Sequence, residues 1–208
     1  MPVQLRFDTG LAGAEYVTRE LWRSASLTRC PLHPRGGCGF ARHGNYARKS
    51  PAGTLVARWY CRLGHCTFSL LPDHLAARFP GTLAEIEDVV LAAERAPSLE
   101  ACAQALRPVS ISLPAAVRWL RRRLALVRPL LPIVVTLLPQ LHGCAPKLSA
   151  VRERLRVPVA LTRLRAALAE QLGALATPLG LRYRRRDGQA AAKRLQQHVG
   201  PDPPQSAG

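Results

Sequence analysis

A mainly α fold with a small β portion is predicted by three features of this sequence. They are a Cys- and His-dense stretch around a short hairpin between Cys30 and Cys66, a Thr-x-x-Glu box at 82–85 that opens a helical pattern, and Leu-rich, Pro-punctuated text from about residue 113 to 181. At 208 residues the chain has room for one domain or two small ones plus tails.

Residues 1–27 carry isolated apolar positions (Leu5, Phe7, Leu11, Tyr16, Leu21, Trp22) without sustained periodicity, so an N-terminal arm is expected there. Residues 28–72 contain two β-type runs, Gly44–Lys49 and Thr54–Tyr60, joined by Ser50-Pro51-Ala52-Gly53. Pro with Gly two residues on is turn chemistry, and a hairpin follows. In residues 80–128 the pattern turns helical. Thr82 and Glu85 form a capping box ahead of a run to Arg95, which Pro97 ends. A second helix starts at Ser98 and runs to Arg107, where Pro108 stops it. A third is capped by Ser110 or Ser112 and covers Leu113–Val127.

Residues 129–181 read as a Leu-rich helical region with a helix at Val159–Leu175. Its Leu161, Leu164, Leu168, Leu172 and Leu175 recur at three- and four-residue steps, as a core stripe or the seam of a homodimer. Leu124–Leu141 is the most apolar stretch, but Arg128 and prolines 129, 132 and 139 keep it short of the ~20 clean apolar residues of a spanning helix. It reads as buried protein, with no membrane partner. Residues 182–208 have too little apolar content to fold alone and form a basic, disordered tail. Met1–Gly10 has no apolar signal region, which leaves the cytoplasm as the expected compartment.

Lys and Arg total 30 against 13 Asp and Glu, a formal charge of +17. A polyanionic partner is the natural reading. A GC-rich genome would explain why Lys occurs only at 49, 147 and 193, but not why acids vanish from whole segments. After Glu100 only Glu153, Glu170, Asp187 and Asp202 remain, while arginines come in runs.

Two knuckles flank the hairpin: Cys30-Pro-Leu-His33 and Cys61-Arg-Leu-Gly-His65-Cys66. In a reducing compartment such clusters are metal ligands or buried thiols rather than disulfides. Structural Zn2+ takes four Cys or His ligands, and a region of ~50 residues with few large apolar groups needs a staple. Seven candidates compete: Cys30, His33, Cys38, His43, Cys61, His65 and Cys66. The preferred set is Cys30, His33 or Cys38, Cys61, and either His65 or Cys66, because adjacent residues can hardly both ligate one ion. Structural zinc is favoured over catalytic zinc, since no Asp or Glu lies between Glu20 and Asp73 to act as general base. The His-x-Glu signature of a deaminase is missing too.

Cys-Pro-Leu-His at 30–33, His-Gly-Asn-Tyr-Ala-Arg at 43–48, Arg-Trp-Tyr-Cys at 58–61 and Thr-Phe-Ser-Leu-Leu-Pro at 67–72 carry a resemblance. The chain resembles, over about residues 28–127, the zinc-ribbon plus helix-turn-helix N-terminal region of insertion-sequence transposases and related proteins. That resemblance implies a zinc-ribbon-like hairpin followed by a helix-turn-helix bundle and further helices. The chain departs from the family pattern with His33 in place of Cys and with Gly64 where the last Cys is common, which leaves the fourth ligand open.

On the third helix Val117, Leu120 and Leu124 form the apolar stripe, leaving Arg118, Arg121, Arg122 and Arg123 to point largely outward. This division suits a recognition helix, with arginines for guanine edges and phosphates. A solvated basic face on a structural helix is the alternative. Cys102 on the preceding helix reads as a small core residue. The ~80 residues after Val127 are too few, and too poor in acids, for the three-carboxylate core of a strand-transfer enzyme. Gly36-Gly37-Cys38-Gly39 lacks the Gly-Lys-Ser/Thr ending of a phosphate loop. The expected function is therefore a non-enzymatic, transposase-related protein that binds double-stranded DNA, with a separate transposase subunit as a further partner. The competing reading is a zinc-stabilised protein-interaction module whose Leu-rich half takes a protein partner.

Overall fold

In a computed structural model, residues 3–181 apart from Ala12 are described. The tail expected at 182–208 lies outside them. The fold is mixed α/β, with a four-stranded sheet ahead of a run of helices.

The sheet is built from β1 (Val3–Phe7), β2 (Ala41–Ala47), β3 (Leu55–Cys61) and β4 (Cys66–Pro72) in the order β1-β4-β3-β2. β2 and β3 are the predicted hairpin, antiparallel with Tyr46 opposite Val56. β4 returns antiparallel to β3, and β1 lies parallel to β4 with Leu5 opposite Leu70. The expected N-terminal arm is thus corrected: it supplies an edge strand and α1 (Gly13–Thr18), and it buries Tyr16 and Trp22. Alternating positions explain the capture, since Ala57, Trp59 and Cys61 on β3 and Phe68 and Leu70 on β4 present one apolar face to those rings.

The helices follow their capping signals. α2 (Leu83–Arg95) begins at Thr82, whose side chain accepts from Glu85 N while the Glu85 carboxylate accepts from Thr82 N. α3 (Leu99–Leu106) is capped by the Ser98 hydroxyl, and α4 (Leu113–Val127) starts after Ser112, which makes no side-chain cap. α5 (Leu130–Leu137) contains Pro132, tolerated because first-turn amides have no intrahelical acceptor. A 3₁₀ turn at Pro139–Leu141, α6 (Leu148–Leu155) and α7 (Ala160–Ala167) complete the described chain. No helix among the described residues is long and apolar enough to cross a membrane.

The single helix expected at Val159–Leu175 is shorter, ending at Ala167. Its five leucines are nonetheless all buried within this one chain, so the stripe is core and not a dimer seam. One cluster runs from Val56 and Leu71 through α2, α4, α5 and α6 to Leu181, so the stretches 80–128 and 129–181 share a core.

Lys147 and Val159 are poor N-caps for α6 and α7, and α2 makes good the deficit. The Glu94 carboxylate accepts from Leu148 N and Ser149 N at 2.7 and 2.9 Å, and that of Glu87 from Ala160 N and Leu161 N at 3.0 and 2.8 Å. Both acids sit at helix N-termini, where backbone amides and the helix dipole favour negative charge. Arg165, 1% exposed, donates to the carbonyls of Asp73, Leu75, Pro178 and Leu179, tying the end of β4 to the helical half. Burial pulls its guanidinium down to about 10.

Candidate metal centre and basic helix

Cys30, His33, Cys38 and Cys61 come together so that one ligand atom from each lies within 4.8 Å of all the others. Nδ1 of His33 stands 3.6 Å from Cys30 Sγ and 3.3 Å from Cys61 Sγ. A tetrahedral ion with bonds of the usual length places its N and S ligands about 3.5–3.8 Å apart, so the spacing fits a single divalent ion. The three cysteines are at most 4% exposed.

Local structure explains the convergence. A turn closes the first knuckle, with His33 N donating to Cys30 O and Gly36 N to His33 O. Gly36, Gly37 and Gly39 then take φ of +85°, +77° and +62°, the left-handed region that residues with a Cβ rarely occupy. These bends double the chain back and deliver Cys38. Cys61 ends β3, and Leu63 N donates to Cys38 O, joining the two knuckles. The amide of Gly64 donates to Cys61 Sγ at 3.2 Å, the kind of outer hydrogen bond that orients a thiolate ligand.

Burial pushes the Cys30 thiol up, but hydrogen bonds involving His33, the backbone at Leu32 and His33, and Cys61 outweigh it and hold the thiol at about 7. Cys38 is pushed up by burial and by the neighbouring thiols of Cys30 and Cys61. Three crowded thiols cannot all ionise without a compensating cation, and a cation is what this donor set suits.

Of the candidate ligands, the structure gathers His33 and Cys38 with Cys30 and Cys61, and it places neither His65 nor Cys66 in that cluster. His65 is exposed, with its Nδ1 3.2 Å from the Tyr60 hydroxyl, and Cys66 lies half-buried with its thiol facing Thr67 O. His43 is also outside, its ring against Tyr60. The Gly-rich run forms the loop that delivers Cys38 to this cluster. A Cβ on Gly64 would lie 3.3 Å from Cys61 Sγ and 3.5 Å from His33 Cε1. The position where the transposase pattern has its last Cys thus faces this same cluster.

On α4, Val117, Leu120 and Leu124 are buried and Arg118, Arg121 and Arg122 are exposed, as the helical periodicity predicts. Arg123 differs. Its guanidinium lies 3.8 Å from the Trp119 ring centre and 5.3 Å from that of Phe79, so it is half-buried as a packing residue. Among the described residues the ion pairs involve Arg6, Arg19, Arg23 and Arg152, and none involves α4. Glu85 and Glu94 are engaged with backbone amides instead, and Glu87 with backbone amides and Arg152. No protein-family model, curated protein or solved structure is a significant match to the chain.

Proposed function

We propose that the protein is a zinc-stapled, transposase-related DNA-binding protein that lacks its own catalytic core. In this reading Zn2+ sits in the Cys30, His33, Cys38, Cys61 cluster as a structural ion. The pair α3 and α4 acts as a helix-turn-helix, with α4 in the major groove of double-stranded DNA. The observation that carries the reading is the division of α4: Arg118, Arg121 and Arg122 exposed and without carboxylates, above a buried Val117, Leu120, Leu124 stripe. Unneutralised arginines on a braced helix are what contacts to phosphates and guanine edges require.

One observation favours a second reading, a protein-interaction module. Leu106, Val109 and Ile111 are 40%, 99% and 42% exposed at the α3–α4 turn, beside a groove of about 510 Å³ lined by Ala103, Ala115 and Trp119. An apolar edge of this kind suits a protein partner such as a separate transposase subunit.

Duplex titrations at rising salt separate the two readings. Arg121→Ala or Arg122→Ala is expected to shift stability by less than about 0.5 kcal/mol. The same change should weaken duplex binding, by about 1–3 kcal/mol at preferred sites if a base contact is lost. Leu120→Ala should do the reverse, costing about 2–5 kcal/mol of stability. Arginine variants that melt early but bind DNA normally would show that α4 is only structural.

A further inference from the structure

A single aliphatic side chain in water is ordinary, but a contiguous group of them beside a groove marks a surface that another molecule covers. The α3–α4 junction carries such a group: Leu106, Val109 and Ile111 all stand exposed, Val109 almost completely. Leu106 and Ile111 line the groove of about 510 Å³ together with Ala103, Ala115 and Trp119. The turn between the helices is fixed. Arg107 N donates to Ala103 O, Ile111 N to Pro108 O, and Arg107 Nη1 to Ile111 O at 2.7 Å. The Arg123 guanidinium, stacked 3.8 Å from the Trp119 ring centre, holds that side of the groove. The groove is therefore formed before a partner arrives, which spares the partner the cost of ordering it.

Its charge is one-sided. Arg107 and Arg122 also line the groove, and the exposed Arg118 and Arg121 continue the positive charge along α4. None of the ion pairs among the described residues involves any of these four arginines. Glu100 of α3 lies in the first turn, at the opposite end of that helix from Leu106. An apolar groove edged by unneutralised arginines complements an apolar face edged by carboxylates. This chain is a poor source of such a face: residues 182–208 carry six basic residues against two acids, and a second copy would bring another formal charge of +17. Shape narrows the choice further. The groove lies between two helices and a turn and offers no open strand edge, so an extended peptide finds no backbone ladder there, whereas a helix needs only side-chain contacts.

We propose that the groove between α3 and α4 docks an acidic amphipathic helix of a partner protein. Leu106, Ile111 and Trp119 take its apolar anchors, and Arg107 and Arg122 take its flanking carboxylates. The proposal rests on the protein-interaction reading of this groove and adds the chemistry of the partner, and it leaves Arg118 and Arg121 available to DNA. Nucleic acid is the poorer occupant of the groove itself, because aliphatic side chains offer nothing to phosphate oxygens.

The test uses the full, zinc-loaded chain and two labelled peptides of about fifteen residues, Ala-based helices with leucines at i, i+3 and i+7 on one face. One peptide has glutamates beside the leucines, and the other has glutamines in their place. The glutamate peptide is expected to bind at least about tenfold more tightly at low salt and to lose that margin as salt screens it. Leu106→Ser and Ile111→Ser should each weaken its binding about five- to tenfold while duplex affinity changes less than about twofold. Both side chains are partly exposed, and zinc content and melting of each variant report folding. Equal binding of the two peptides, lost in the Ser variants, would leave a protein-docking groove and overturn the acidic partner. Binding of neither peptide overturns the proposal and the protein-interaction reading together. A glutamate peptide that binds the Ser variants as well as the wild type is held by charge alone, which overturns docking in the groove. Equal loss of duplex and peptide binding in the Ser variants also overturns it, since the groove would then belong to the nucleic-acid surface.

Discussion

Between Tyr16 and Leu70 the buried set of the sheet half is four aromatic rings, three thiols of the metal cluster, two alanines and a single leucine. From Leu83 to Leu181 it is leucine, valine and alanine almost throughout. The first set is small in aliphatic area for four strands and a long loop, and it gathers its sulfurs around His33, where they could hold a metal ion. The second has a continuous apolar core and needs no ion. It uses polar groups differently: Glu87, Glu94 and Arg165 tie elements to one another rather than adding bulk. The contrast teaches that one basic chain can join a half built on rings and clustered thiols to a half defined by aliphatic burial, with Val56, Leu71 and Arg165 tying the two together.

The contrast is broken most forcefully at the metal. Cys61→Ser, or chelation of the wild type, should abolish stoichiometric zinc and the fixed environment of Trp22 and Trp59. Helical far-ultraviolet signal from the other half should largely persist. The ion's contribution is expected to be large, about 10 kcal/mol or more of apparent binding free energy. Metal analysis with near- and far-ultraviolet dichroism measures this, and freshly purified, reduced protein without zinc would remove the metal half of the comparison. Cys144→Ser, remote from the cluster, should leave zinc content unchanged.

Next in size is the tie itself. Arg165→Leu leaves the carbonyls of Asp73, Leu75 and Leu179 without their donor, Pro178 O keeping Ala77 N, and should cost about 3–5 kcal/mol in urea denaturation. A loss below about 1 kcal/mol would mean that the halves are stable independently. Smaller again is Glu87→Gln, which keeps an acceptor for Ala160 N or Leu161 N but removes the charge at the α7 N-terminus. About 1–2 kcal/mol is expected, with faster amide exchange confined to the start of α7.

What could be read from the sequence divides along the same line. Helix ends were legible where a local group enforces them: Thr82 with Glu85, Ser98, and the prolines at 97 and 108. The hairpin was legible from its turn. β1 was not, because a short edge strand whose pairing partner lies more than sixty residues away leaves no local period to detect. The ends of α6 and α7 were obscure for a related reason, since their caps come from α2. Of the metal cluster, Cys30 and Cys61 followed from spacing. Choosing His33 and Cys38 together required the three left-handed glycines, whose conformation only the folded loop displays. The packing of Arg123 was only half legible: Trp119 is its neighbour one turn back on α4, but Phe79 reaches it only in the folded chain.

The smallest expected effect on stability belongs to a rearrangement within the metal half, and it tests the relation to the transposase pattern directly. Cys38→Ser alone should weaken zinc binding, since Ser is a poor ligand. Adding Gly64→Cys to it moves the fourth thiol to the second knuckle, where that pattern has one. The geometry allows the move: Gly64 has no positive φ, and the added Cβ would sit 3.3 Å from Cys61 Sγ. Its one close approach, 2.7 Å, is to Leu32 Cδ1, the far end of a side chain that is 52% exposed and free to turn away. The double variant should therefore regain zinc affinity to within about tenfold of the wild type, a difference of about 1.4 kcal/mol. Competition with a chromogenic chelator measures it. A double variant that stays folded yet binds no better than Cys38→Ser would show that the second knuckle cannot present a fourth ligand. The likeness to the transposase ribbon would then end at the hairpin.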